Sequence, residues 1–274
     1  MELFLEWFPL LLLLVIAGAL GGGLAGMLGV GGGIIYVPAL DAVFSLVGID
    51  PEVSMHSAVA TSLAIIVPTS ISSSLAHHKR DCVDLYMVRL WGPTILLGSI
   101  IGVVAASQLK GSILSLGFGI MTLLVAMNML LPNRQINFFR RYRIPSLGIA
   151  VPIGLGGFSS MLGVGGGTLS VPILTMMDRP IHRAVGTAAA FGLLISLPGA
   201  ISFIVSGWSD SRLPISSWGY VNLIAVTIMA PVTVLAVPMG AEIAHRLGQR
   251  QLRFVFGLCL LVISIRMILK TFLS

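Results

Sequence analysis

A chain of 274 residues that is 56% hydrophobic and only 9% charged is not an ordinary soluble domain, in which about a quarter of residues carry charge. Its mean hydropathy is +1.02, and its 32 Gly and 14 Pro suit transmembrane helices. The formal net charge of +6 comes from short stretches between apolar runs, which points to membrane topology and gives no reason to expect a nucleic-acid partner. Cys82 and Cys259 lie far apart without metal-ligand spacing, and no cofactor is expected.

The first apolar run covers 8–28. Ala17-Gly18-Ala19 mimics a signal cleavage site, but the preceding region holds Glu2 and Glu6 and no basic residue, so a cleaved leader is not expected. Gly21-Gly22-Gly23-Leu24-Ala25-Gly26 matches G-x-G-x-x-G without the strand and βαβ unit that a dinucleotide site needs. Gly18, Gly22 and Gly26 fit a close helix–helix contact.

Next comes Met27-Leu28-Gly29-Val30-Gly31-Gly32-Gly33, followed after three residues by Val37-Pro38. Each Gly in a helix interior costs up to ~1 kcal/mol relative to Ala, so this run predicts a helix break. Further apolar segments follow at 33–48, 56–76, 90–107 and 112–131. The link 132–143 carries Arg134, Arg140, Arg141 and Arg143. Beyond it lie 144–162, 167–177, 183–205, 218–244 and 251–272. Most approach the ~20 residues that cross a bilayer; the pieces after the glycine runs are shorter.

The second half repeats the first. Met161-Leu162-Gly163-Val164-Gly165-Gly166-Gly167, then Val171-Pro172, restates the first motif at an offset of 134. His56-Ser57-Ala58-Val59-Ala60-Thr61 matches His182-Arg183-Ala184-Val185-Gly186-Thr187 at 126, and Pro93, Gly102 and Gly119 match Pro231, Gly240 and Gly257 at 138. The expected architecture is an all-α integral membrane protein of two repeats, 1–131 and 144–274, joined by a basic linker at 132–143. Broken helices fall at the glycine motifs.

Charge decides the sense of the repeats. With five segments per half, twelve Lys and Arg fall on one side and only Lys110, Arg212 and Lys270 on the other. With four per half the split is nine against six. The positive-inside rule favours five, an odd number, which inverts the halves. Both termini then face outward, and the linker faces the cytoplasm of a plasma (inner) membrane.

Inverted halves bring the two breaks together inside the protein. Helix starts near Gly33 and Gly167 aim unpaired N–H groups and positive dipole ends at the gap, an anion site that needs no charged side chain. The expected substrate contacts are Gly29, Gly31, Gly32 and Gly33, and Gly163, Gly165, Gly166 and Gly167. The hydroxyls of Thr61, Ser62 and Thr187 are candidate donors, although each could instead bond back to its own helix. His56 and His182 are weaker candidates as gates on opposite sides. Arg266 is the only Lys or Arg well inside an apolar segment, and its repeat partner is Asn128. It either serves the anion or snorkels to the surface. His77, His78, Lys79 and Arg80 read as a topology-setting loop. An intramembrane enzyme is the poorer reading, because the chain has no H-E-x-x-H motif and no nucleophile–base pair at depth.

Two Met-Leu-Gly-Val-Gly-Gly-Gly-x-x-x-Val-Pro stretches, each followed by His-x-Ala-Val-x-Thr, resemble the TauE/SafE family of sulfite and organosulfonate exporters over essentially the whole chain. The resemblance implies an inner-membrane carrier for sulfite, sulfoacetate or a related small anion. The family hallmark falls on Gly29, Gly31, Gly32, Gly33, Pro38 and Thr61, and on Gly163, Gly165, Gly166, Gly167, Pro172 and Thr187. Ser62 departs from the pattern, since Ala188 stands opposite it. A carrier of a different small anion and a non-transporting membrane assembly subunit are the alternatives. The glycine stripes are equally suited to a homodimer contact and to internal packing.

Overall fold

The computed structural model describes residues 2–29, 31–130, 147–177, 179–214, 216–246 and 249–273. The basic linker at 132–143 lies outside the described residues, and so does Val30. Ten helices follow in order: α1 (Glu2–Leu28), α2 (Gly33–Leu46), α3 (Pro51–His78), α4 (Leu85–Ser107), α5 (Gly111–Leu130), α6 (Leu147–Met161), α7 (Gly167–Met176), α8 (Ile181–Ser206), α9 (Leu223–Arg246) and α10 (Gln249–Leu273). A two-residue hairpin, β1 (Ser217–Trp218) with β2 (Val221–Asn222), leads into α9. The protein is therefore all-α, and among the described residues six helices contain stretches long and apolar enough to cross a membrane: α1, α3, α4, α5, α8 and α9.

Each glycine motif falls between a helix and a shorter one. α1 stops at Leu28 because Gly29, Gly31 and Gly32 take φ of +64°, +79° and +72°, a left-handed backbone that a helix cannot continue. α2 then turns back along α1, and Tyr36, one turn in, wedges against Gly21. Gly163 and Gly165, at φ +67° and +65°, separate α6 from α7 in the same way. At 14 and 10 residues, α2 and α7 reach about 21 and 15 Å, short of a full crossing.

Packing follows pairs. α3 crosses α8 at the centre, and α5 lies on α10. α1 packs on α9, and its repeat counterpart α6 packs on α4. Both of the latter contacts are backbone-close at matching glycines. A Cβ at Gly22 would lie 2.5 Å from the Thr233 carbonyl, and one at Gly156 would overlap the Ile95 carbonyl. Gly240 presses on the Gly23 carbonyl as Gly102 does on that of Gly157.

The ends of α3 sort the charges. Near its start, Arg212 bridges Glu52 (3.1 Å) and Asp210 (2.8 Å), and this guanidinium holds the Asp210 carboxyl well below the usual range, at about 2. Lys270 reaches Asp41 at the same end (2.7 Å), and the Ser54 hydroxyl donates to that carboxylate (3.0 Å). Asp41 itself is buried within α2. Beyond the far end of α3, Arg179 pairs with Asp84 (3.2 Å).

Candidate functional site

The two breaks meet. A Cβ on Gly31 would lie 3.4 Å from the Val164 carbonyl and 3.6 Å from Gly165 Cα, and one on Gly33 would overlap the Gly163 carbonyl. Each break also rests on the central helix of the other half. Gly29 lies against Val185 of α8, and Gly163 lies against Val59, the repeat counterpart of Val185, on α3. A side chain at Gly29 or Gly33 would have to displace backbone, which fluctuating rotamers cannot relieve, whereas at Gly31 the left-handed φ is the obstacle.

Beside this junction is a cavity of about 210 Å³, counting its open mouth, with room for about one water molecule. Gly29 and Gly31 of the first break and Gly167 at the start of α7 form its backbone walls. Thr69, Ser70 and Ser73 of α3 face Gly192 of α8 across it. Gly167, the first residue of α7, lines it, so the positive dipole end of that helix faces this space. A wider cavity of about 360 Å³, also counted to its mouth, is lined by Gly26, Ala76, His77, Arg80 and again Ser73. Ser73 therefore stands where vestibule and inner cavity join. Its residue is 3% exposed and its hydroxyl has no hydrogen-bond partner.

The candidate residues divide by place. Gly31, Gly33, Gly163 and Gly165 meet at the junction, Gly29 and Gly167 line the cavity beside it, Gly32 packs on Tyr36 and Gly21, and Gly166 packs on α8. The Ser62 hydroxyl, buried on α3, donates to the Gly163 carbonyl (2.8 Å) and ties that helix to the second break. Thr61 and Thr187 do equivalent jobs elsewhere. Thr61 Oγ1 accepts the Asn222 N–H (3.0 Å), and Thr187 Oγ1 accepts the Asp84 N–H (2.9 Å). Asn222 and Asp84 in turn cap α9 and α4, their side chains accepting from Ala225 N–H (3.0 Å) and Met87 N–H (3.2 Å). Neither threonine lines the inner cavity or the vestibule.

His56 is buried near the start of α3. Nδ1 lies 3.0 Å from the Glu52 carbonyl and Nε2 3.1 Å from that of Ala106, and the ring stacks on Tyr220. A neutral ring can donate to only one of those carbonyls at a time. His182 is exposed at the start of α8. Arg266 and Asn128 are exposed on α10 and α5 and line neither cavity. Lys270, one turn further along α10, is held by buried Asp41. Sequence reasoning missed Ser70, Ser73 and Gly192, although three serines in a row at 72–74 within an apolar helix were a signal.

A family model described as "Sulfite exporter TauE/SafE" matches residues 14–267. A "Probable membrane transporter protein" of Haemophilus influenzae is 34% identical over 263 residues, covering 96% of this chain and all of its own length. "Probable membrane transporter protein YunE" of Bacillus subtilis is 26% identical, covering 96% of this chain and 98% of its own. A probable membrane transporter protein of Methanocaldococcus jannaschii is 28% identical, covering 96% and 97%. No solved structure matches.

Proposed function

The chain belongs to the sulfite exporter TauE/SafE family, and from that premise we propose that it exports a small sulfur oxyanion, sulfite or an organosulfonate such as sulfoacetate, by alternating access. The observation that carries this reading is the junction of the two breaks beside a cavity walled by glycine backbone, a helix start and serine hydroxyls. Such a wall offers donors and partial positive charge, and it offers no carboxylate to a cation. His77 and Arg80 line the vestibule that leads to it. No chemistry on the substrate is required.

The contacts α1 on α9 and α6 on α4, which exchange the halves, support reading α1–α5 and α6–α10 as two repeats, and the loop charges read them as inverted. Rocking one against the other would open the junction to each side in turn. In this reading the Lys79–Arg80 end faces the cytoplasm and the Arg212 end faces outward, with both termini outside and the bilayer of the plasma membrane around the bundle. A homodimer is compatible with the exposed apolar faces.

Sulfite efflux from proteoliposomes tests the proposal. The unmodified protein should release loaded sulfite, while Gly31→Leu and Gly165→Leu should each lose at least ~90% of the flux and still reach the membrane. A side chain at a left-handed φ costs ~1–2 kcal/mol before any overlap with the opposite break. Normal flux in both variants would remove the glycine site, and no flux of any sulfur oxyanion in the unmodified protein would remove the exporter.

A further inference from the structure

The sequence repeat makes the junction look two-sided, and its side chains are not. At the offset of 126 that relates α3 to α8, Gly192 stands where α3 has Ile66, and Gly199 stands where α3 has Ser73. Ile66 is fully buried. Its Cδ1 lies 3.0 Å from where a Cβ on Gly33 would be, and its Cγ2 lies 3.3 Å from the equivalent point on Gly165. The start of α2 is thus covered by Ile66 on one side and by Gly163 and Val164 on the other. The start of α7 meets Gly192 instead, where a Cβ would lie 2.6 Å from the Ser70 hydroxyl, and the cavity opens beside this pair.

Ser73 provides the second, independent sign of a ligand. Its hydroxyl is buried, unpartnered, and placed where the vestibule joins the inner cavity. Leaving a hydroxyl unpaired in an apolar interior is costly unless something fills its bonding capacity for part of the cycle. Its counterpart Gly199 has no hydroxyl, and a Cβ there would meet Leu63 and the Ser99 hydroxyl. We propose that the oxyanion site is one-sided, built on the α7 start and the first break, with the Ser73 hydroxyl donating to an anion oxygen and Gly192 leaving the space that the anion enters. This rests on the exporter reading for the identity of the anion. The assignment of Ser73 as a binding residue stands on the cavity itself.

Two readouts on the full chain separate these layers: thermal stabilisation of the purified protein by sulfite, sulfate and phosphate, and KM for sulfite efflux from liposomes. Ser73→Ala and Ser196→Ala are compared. Ser196 is another buried, unpartnered hydroxyl, on α8, and it lines neither cavity. Ser73→Ala should raise KM about tenfold and blunt the anion-dependent stabilisation, the size of effect expected for one hydrogen bond to a charged group. Its ligand-free Tm should stay level or rise, because the lost hydroxyl had no partner in the protein. Ser196→Ala should keep KM within about twofold. Equal changes in the two variants, or unaltered anion response in Ser73→Ala, overturns the one-sided site. Anion stabilisation of the unmodified protein without sulfite or sulfonate efflux overturns the exporter, while its loss in Ser73→Ala still supports the site. No stabilisation by any of the three anions and no efflux would overturn both.

Discussion

At the scale of single residues, repetition in a sequence identifies equivalent positions without telling what each one does. Thr61 and Thr187 stand out because both halves keep a hydroxyl at the same place, and the structure gives both hydroxyls the same partner type: the N–H of the residue that caps the next long helix of the other half. That partner is 161 residues away for Thr61 and 103 for Thr187, a separation no local pattern reveals. Ser73 stayed hidden for the opposite reason, since its repeat counterpart is a glycine. The threonines carry a clear prediction. Thr61→Val keeps the shape and strands the buried Asn222 amide, so it should cost about 1–3 kcal/mol of stability, and Thr187→Val, which frees the half-buried Asp84 amide, should cost less. Thermal unfolding in detergent measures it. A raised sulfite KM with unchanged Tm would instead make these hydroxyls substrate ligands.

At the scale of elements, the apolar segments read from hydropathy agree closely with the helices, because backbone in lipid has few alternatives to helix. The segment at 33–48 became α2 (Gly33–Leu46), and that at 167–177 became α7 (Gly167–Met176). What the segments did not give was which helix touches which. The glycines decide that, and they do so unequally. Gly102 and Gly240 sit where the backbones of paired helices nearly touch, whereas Gly154 has open space around its missing Cβ. Gly102→Val or Gly240→Val should push α4 off α6 or α9 off α1 and reduce the folded, monodisperse yield several-fold. Gly154→Ala should be neutral or stabilise by about 0.5–1 kcal/mol, because a mid-helix glycine is entropically costly. Size-exclusion profiles and Tm of the three variants check the ordering. A Gly102→Val protein as stable as Gly154→Ala would mean that the close crossing does not hold the pair together.

At the scale of the whole molecule, the charged groups that the structure describes sort to the two ends of α3. Arg212 and Lys270 gather with Glu52 and Asp41 by the start of α3, and Lys110 adjoins Gly111, whose missing Cβ would lie 2.8 Å from the Glu52 carbonyl. Lys79 and Arg80 follow the end of α3, a 28-residue helix about 42 Å long, and Arg179 reaches Asp84 just beyond. The positive-inside rule assigns the second group to the cytoplasm. Single cysteines in a background with Cys82 and Cys259 replaced by Ser convert that assignment into a measurement. Ser209→Cys, exposed in the loop that holds Arg212, should react with a membrane-impermeant maleimide in intact cells. Lys79→Cys, exposed at the other end, should react only after permeabilisation. The reverse pattern would turn the molecule over, so that the Ser73 vestibule opened outward and sulfite entered the site from outside, which is the geometry of uptake. Labelling of both sites in intact cells would mean that the ends of α3 do not lie on opposite sides of a sealed bilayer, and the two-sided carrier would fall with it.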